Sequence, residues 1–234
     1  MARSKRLFIP GQSYFILLEG HNGNHCFYDA ACYRYYLARL TNCLAPYQTQ
    51  LHAYVLLPNE IQLLLTPMTP TGISELMKMV GVAYAQYFNN RFARTGSLWK
   101  GRFKSSLIQS DARLLLCQKY MELAPLRHAL VQHPGEYPWS SYCANAFGGH
   151  WVVSHHEQVR KAVPGKGNRF AAYRDYLATA LTAQELCLLE EKLRYGHPLI
   201  DSNFRANNVK IVKKSRYTPT HFDTGSMTRP RPGI

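Results

Sequence analysis

Two apolar runs separated by a very short break constrain the fold more than any other feature of this sequence. They span residues 50–57 and 61–66, and only Pro58, Asn59 and Glu60 lie between them. Proline and asparagine favour tight turns, and a connection of this length joins strands that lie antiparallel and side by side. The sequence therefore predicts a β-hairpin at this point.

The segment before the hairpin has the pattern of a strand followed by a helix. Residues 14–19 are an apolar run that ends at Gly20, and a loop rich in Asn, Gly and His comes next. After Asp29, apolar residues recur at the spacing of one helical face until Pro46 ends the pattern. We therefore predict one strand and one helix ahead of the hairpin.

The segment after the hairpin repeats these patterns. Residues 73–88 have the spacing of a second amphipathic helix, and residues 102–108 have the pattern of a fourth strand. A third helix is predicted to begin at the capping residues Ser110 and Asp111 and to end near Pro125. The predicted order is β-α-β-β-α-β-α, and its first six elements are typical of an α+β, ferredoxin-like (split βαβ) antiparallel sheet with two helices on one face.

The composition changes after residue 150. Residues 170–181 and 182–195 predict two further helices, and a run rich in Lys and Arg follows, as is typical of a disordered tail. A chain of 234 residues accommodates one domain of about 150 residues and a smaller appendage. We therefore divide it into a domain at 1–150, a helical C-terminal extension at 151–212 and a basic, disordered tail at 213–234.

The chain is strongly basic. Lys and Arg outnumber Asp and Glu by 28 to 14, and the net charge of +14 favours a polyanionic partner, either nucleic acid or an anionic membrane surface. The alternative is a basic protein without such a partner. The apolar runs are much shorter than the ~18 residues of a membrane span, and no signal peptide is indicated. The six cysteines have no C-x-x-C spacing, so we expect reduced thiols and a cytoplasmic protein.

Four stretches of sequence are more specific than the fold or the charge. Residues 51–65 have the sequence LHAYVLLPNEIQLLL, and GSLWKGRFK at 96–104, YMELAPLR at 120–127 and EYPWSSY at 136–142 follow in that order. Together they resemble the Y1 (IS200-like, HUH-type) transposases and, within that family, the REP-associated tyrosine transposases. The resemblance covers nearly the whole chain and is strongest over residues 14–145.

The resemblance implies a nucleophile and a metal site. In this family a tyrosine on the helix after the fourth strand attacks single-stranded DNA and forms a 5′-phosphotyrosine, and Tyr120 holds that position. A phenol with a reference pKa near 10 is a poor nucleophile, so a divalent metal does most of the work. The family's His-x-His metal ligands correspond to Glu60 and Gln62, and its third ligand, one helical turn after the tyrosine, corresponds to Ala124.

These substitutions weaken the expected metal site. Glu60 and Gln62 have oxygen atoms of the kind that Mg2+ or Mn2+ accepts, whereas Ala124 has no ligand to offer. We therefore expect only weak metal binding by Glu60 and Gln62, with catalysis lost or reduced. The alternative interpretation is that Glu60 is a turn residue and Gln62 an ordinary side chain of the sheet, without a metal role.

A set of basic and aromatic residues is expected to line a groove that follows a DNA backbone and stacks unpaired bases. Its members are Arg91, Arg94, Trp99, Lys100, Arg102, Lys104 and Arg127, with Phe103 interleaved among them. The alternative is a solvated basic face, with Trp99 and Phe103 packed inward. Glu19 stands where the family commonly has Arg, and this reversed charge is expected to weaken binding of the backbone nearby.

Three functions are left open by the sequence. The first, which we favour, is a transposase-type protein that binds single-stranded or hairpin-forming DNA with lost or reduced catalysis. The second is an active, metal-dependent DNA nickase and ligase that uses Tyr120. The third is a regulator that binds RNA hairpins, because related sheets stack unpaired RNA bases. None of the three requires a membrane, and the sequence leaves self-association open.

Overall fold

A four-stranded antiparallel sheet forms the centre of the structure, a computed structural model that describes residues 6–148, 153 and 169–200. The strands are β1 (Ser13–Glu19), β2 (Thr49–Leu57), β3 (Glu60–Pro67) and β4 (Lys104–Ile108). They lie in the order β2-β3-β1-β4, so the predicted hairpin forms and β1 is inserted between β3 and β4. This is the arrangement of the split βαβ, ferredoxin-like fold, which confirms the predicted fold class.

The helices follow the predicted boundaries closely. They are α1 (Ala30–Leu44), α2 (Gly72–Arg91), α3 (Asp111–Glu122), α4 (Ala124–Arg127), α5 (Tyr142–Phe147), α6 (Arg169–Ala178) and α7 (Ala183–Tyr195). The Asp29 side chain caps α1 by accepting a hydrogen bond from the backbone N–H three residues later, and Thr182 caps α7. α3 ends at Glu122, and Pro125 lies in the separate short helix α4 because the first turn of a helix tolerates proline.

One face of the sheet packs against α1 and α2. Successive residues of a strand point to opposite faces, and Ile16, Leu56 and Leu63 point to this one. They contact an aromatic layer that includes Tyr36 of α1 and Tyr84 of α2. The predicted pair of helices on one face of the sheet is therefore confirmed.

The opposite face of the sheet is covered by later helices. Phe15, Leu17 and Val55 lie in one apolar cluster with residues of α3, and Leu189 and Leu193 of α7 belong to the same cluster. The strands are therefore buried on both faces. This explains why their sequences are nearly continuous apolar runs instead of alternating apolar and polar residues.

Two predicted segments lie wholly or partly outside the described residues. The tail at 213–234 lies outside them entirely, and the extension at 151–212 is described only at residue 153 and over 169–200. The division of the chain at residue 150 stays a prediction. No helix in the described ranges combines the length and the apolar character that a membrane span requires.

Candidate functional site

Glu60 and Gln62 lie at the start of β3, two residues apart, and therefore share one face of the sheet. The face is the one that α3 and α7 cover, because their partners on β2, Leu57 and Val55, pack there. Both residues are buried, with 4% and 2% of their surfaces exposed. The Gln62 Nε2 atom donates a hydrogen bond to Glu60 Oε1 at 2.6 Å. The two positions that correspond to the metal ligands are thus side by side and bound to each other.

An arginine at the end of α7 supplies the cation that this buried carboxylate requires. The Arg194 Nη1 atom lies 3.3 Å from Glu60 Oε2, and 38% of the Arg194 side chain is exposed. A buried carboxylate without a counter-ion would be strongly destabilising. Burial is the largest single influence and lowers the pKa of Arg194, but the charges of Glu60, Tyr120, Glu190 and Glu19 together outweigh burial and raise this pKa. Arg194 is therefore a permanent cation beside Glu60.

Tyr120 lies on α3 over the same face of the sheet, with 3% of its surface exposed. The Arg127 guanidinium packs against its ring, with Cζ 4.1 Å from the ring centroid. Burial raises the pKa of the Tyr120 phenol, and the positive charges of Arg127 and Arg194 offset this only in part. The hydroxyl therefore stays protonated at neutral pH, which makes it a weak nucleophile.

The side chains around Glu60 do not fit a divalent metal such as Mg2+ or Mn2+. The Glu60 carboxylate already binds Arg194, and Gln62 donates its NH2 group to Glu60, which leaves the buried Gln62 Oε1 atom as the one side-chain oxygen of the pair without a hydrogen-bond partner. The third ligand position holds the buried methyl group of Ala124. In the part of the chain that the structure describes, no three His, Cys, Asp or Glu side chains converge as metal ligands. A metal ion at Glu60 would also be repelled by the Arg194 guanidinium.

Glu19 lies directly opposite Glu60 in the sheet, and two of the predicted DNA-contacting lysines bind it. Lys104 Nζ is 2.5 Å from Glu19 Oε2, and Lys100 Nζ is 3.5 Å from Glu19 Oε1. Burial is the largest single influence and raises the pKa of Glu19, but the hydrogen bonds and charges of Lys104 and Lys100 together outweigh it and lower this pKa. The charge of Glu19 is thus compensated inside the protein, which reduces the repulsion of DNA that its sequence position implies.

Arg91 is the last residue of α2, which packs on the opposite face of the sheet from Tyr120, and Arg94 follows three residues later. Arg91 Nη2 forms an ion pair with Asp29 Oδ2 at 2.6 Å, and Arg94 packs over the ring of Phe88 with Cζ 5.4 Å from the centroid. The structure therefore divides the predicted basic residues into two groups. The group near Glu19 and Tyr120 consists of Lys100, Lys104 and Arg127.

The aromatic residues of the predicted groove are packed to different extents. Trp99 is half-buried, and its indole N–H donates a hydrogen bond to the backbone carbonyl of Gly81 at 3.0 Å. Phe103 is buried and stacks on Phe8, as the inward-packing alternative expects. Arg102, between them in sequence, is exposed. Phe103 is therefore unavailable to stack bases.

A second buried carboxylate fixes the position of α3. Glu122 accepts hydrogen bonds from Ser141 Oγ at 2.7 Å, Asn145 Nδ2 at 2.6 Å and Tyr173 Oη at 2.8 Å. Burial raises the pKa of Glu122, and these hydrogen bonds offset the effect only in part. Because Glu122 follows Tyr120 by two residues, the network holds the end of the helix that carries Tyr120. No residue spacing in the sequence indicates this network.

Arg194 is also absent from the residues that the sequence predicts. It lies in the last turn of a helix, where basic residues are common because they interact favourably with the helix dipole. The sequence signals such a cation only indirectly, because a glutamate beside a buried strand requires a positive partner. That requirement does not say which of the 28 Lys and Arg residues provides it.

Comparisons with known proteins bear on the fold. No protein-family model matches the sequence, and the search of curated proteins found no match. A solved structure of a REP-associated tyrosine transposase bound to a REP hairpin is similar, with a TM-score of 0.52 and 16% identity over 67% of this chain and 92% of that chain. A protein named as a transposase from Deinococcus radiodurans has a TM-score of 0.36 and 19% identity over 52% of this chain and 96% of that chain, too low a score to support an argument. The chain has the fold of a REP-associated tyrosine transposase, as its sequence resemblance implies.

Proposed function

We propose that this protein binds hairpin-forming DNA and does not cleave it through Tyr120. The observation that carries the proposal is the ion pair between Glu60 and Arg194, which places a side-chain cation where a metal-dependent site needs free ligands. The fold and the inherited tyrosine support descent from a DNA-cleaving architecture. The local charges support binding in preference to cleavage.

Charge and fold both support DNA as the partner. The net charge of +14 favours a polyanion, and the similar solved structure is that of a transposase bound to a REP hairpin. Near Tyr120, four cationic side chains outnumber three carboxylates, Glu19, Glu60 and the exposed Glu190. These cations are Lys100, Lys104, Arg127 and Arg194. Such an excess attracts the phosphates of a nucleic acid.

The chemistry of cleavage lacks support at three points. The Tyr120 phenol is buried and its pKa is raised, so little phenolate is available to attack. Ala124 removes the third ligand position. An arginine stabilises negative charge, but it does not replace the Lewis acidity with which a divalent metal polarises a scissile phosphate. The proposed protein has therefore lost metal-assisted cleavage but has kept a surface that attracts phosphates.

The experiment uses a labelled DNA stem-loop with a single-stranded flank. Binding to the full chain is measured by fluorescence anisotropy, and covalent adducts are sought on denaturing gels in the presence of Mg2+ or Mn2+, with Tyr120→Phe as control. We expect binding that weakens as salt rises and no adduct. We also expect the Tyr120→Phe variant to bind as the native chain does.

Two outcomes favour the alternatives. An adduct that Tyr120→Phe abolishes would establish the active nickase and ligase and refute the proposed loss of cleavage. An RNA stem-loop that outcompetes its DNA counterpart at equal salt would favour the RNA-binding regulator.

A further inference from the structure

We infer that Arg127 and Arg194 together bind one phosphate of a single-stranded DNA flank beside the Tyr120 ring, directly and without a metal ion. The inference rests on the proposed function and deepens it, because it names the part of the DNA that this site recognises. Arg194 is not among the residues that the family resemblance assigns to DNA or metal binding.

Arg194 has donors available for a phosphate in addition to those that bind Glu60. Its contact with Glu60 is made by one terminal nitrogen, Nη1, whereas a guanidinium carries five N–H donors in a flat fork. The side chain is partly exposed, so a ligand can reach it from solvent. Arg194 is therefore fixed on one side by Glu60 and accessible on the other.

Arg127 is held against Tyr120 by packing and not by an ion pair. Within the described ranges, no carboxylate forms a salt bridge with it, and its buried Nη1 atom lacks a hydrogen-bond partner. Burial lowers the pKa of this guanidinium, and its interactions with Tyr120 offset that effect only in part. Glu190 and Glu60 act on its charge without forming a salt bridge with it, so an anion that supplies both charge and acceptors would stabilise this half-buried guanidinium further.

The charge balance favours an anion with one negative charge. Arg127 and Arg194 both lie close enough to Tyr120 to affect its pKa, and Glu60 is the buried carboxylate beside them. Glu190, one turn before Arg194 on α7, also acts on both arginines, but its exposure to solvent weakens that interaction. Because solvent weakens the charge of Glu190, the carboxylates near the two guanidinium groups neutralise them only in part, and a phosphodiester neutralises the remainder. Arginine also binds phosphate oxygens through directional, charge-assisted hydrogen bonds.

Arg194 thus supplies positive charge as a metal ion does, but one charge instead of two and no Lewis acidity. It holds a phosphate in place, but no bond forms or breaks, because the site lacks an activated nucleophile. The expected result is recognition of a single-stranded flank that is independent of divalent metal.

The test compares two DNA stem-loops that differ only in a short 5′ oligothymidine flank. Fluorescence anisotropy gives their affinities for the full chain in EDTA and in Mg2+, and the ratio of the two dissociation constants is the gain due to the flank. We expect the same gain in both buffers. Arg194→Ala and Arg127→Ala are each expected to reduce it about tenfold without changing the affinity for the stem-loop that lacks the flank.

Arg34→Ala is the matched control. It removes an exposed arginine from α1, which packs on the other face of the sheet, and it should leave both affinities unchanged. A gain that requires Mg2+, or that survives Arg194→Ala in a folded protein, would overturn the inference. An equal loss for both stem-loops would also overturn it, because that result indicates general electrostatic attraction.

Glu60→Gln tests the same site without removing the guanidinium. It takes away the carboxylate that competes with DNA for Arg194, so the gain from the flank should increase, and a decrease would count against the inference.

Free oligothymidine separates this inference from the proposed function. If it binds through Arg194 while the stem-loop without a flank does not bind, hairpin recognition is wrong and the phosphate site stands.

Discussion

Glu60 and Arg194 depend on each other because the carboxylate is buried and the guanidinium is its counter-ion. Arg194→Ala leaves Glu60 without a cation and should lower the free energy of unfolding by about 1–3 kcal/mol, less than for a fully buried pair because Arg194 is partly exposed. Adding Glu60→Gln should recover part of this loss. Urea unfolding of the two single variants and the double variant measures the coupling, and strictly additive losses would contradict it.

Glu122 is expected to make stability depend on pH. Burial raises its pKa above the ordinary value of 4.5, so the native state holds this proton more tightly than the unfolded chain does. The resulting stabilisation is complete below the unfolded pKa and is lost as the pH rises through the folded pKa. The free energy of unfolding of the native protein should therefore fall relative to that of Glu122→Gln as the pH rises above 4.5. Parallel profiles in urea unfolding would show that Glu122 titrates normally.

Single residues are predictable from the sequence where their relation is local. Glu60 and Gln62 share a face because they are two residues apart on a strand, and the sequence predicts this correctly. Arg194 is 134 residues from Glu60, and no spacing rule links the two. The packing of α7 on the sheet brings them together, and the sequence pattern does not specify that packing.

Strands and helices are predicted well where their start and stop signals are local. The hairpin follows from the turn at Pro58 and Asn59, and α1 begins immediately after Asp29, where the helical spacing predicted from the sequence starts. The second covered face of the sheet is not predicted. The apolar residues of α7, including Leu189 and Leu193, indicate that one side of this helix is buried. They do not indicate that the sheet is the surface it packs against.

Thr182 caps the helix that carries Arg194. Its side chain accepts a hydrogen bond from the backbone N–H of Glu185, and the Glu185 carboxylate accepts one from the backbone N–H of Thr182. Thr182→Ala should lower the free energy of unfolding by about 1 kcal/mol, because the first turn of α7 loses its acceptor. Thr182→Ser keeps the hydroxyl and should cost less. If urea unfolding gives equal losses for both variants, the hydroxyl is not the stabilising group.

At the scale of the whole molecule, the net charge of +14 makes the affinity for DNA depend on salt. For the stem-loop with a flank, the logarithm of the association constant should fall linearly with the logarithm of the salt concentration. Arg194→Ala should reduce this slope by about 0.7, the contribution of one contact with a single-stranded phosphate. Arg34→Ala should leave it unchanged. An unaltered slope in a salt titration of Arg194→Ala would argue against direct contact.

The two covered faces of the sheet carry different parts of the structure. α1 and α2 build the aromatic core on one side, and α3 and α7 bring Tyr120 and Arg194 over the other. The nucleophile position is thus part of the fold. The positive charge of Arg194 beside it is supplied by α7, which lies near the C-terminal end of the described residues.

A crystal soaked in Mn2+ and recorded at the manganese absorption edge tests the central claim most directly, because anomalous scattering locates the metal independently of activity. We expect no anomalous peak between Glu60, Gln62 and Tyr120, with the Arg194 guanidinium still bound to the Glu60 carboxylate. A peak coordinated by the side-chain oxygens of Glu60 and Gln62, with Arg194 displaced, would show that a metal and not an arginine serves this site.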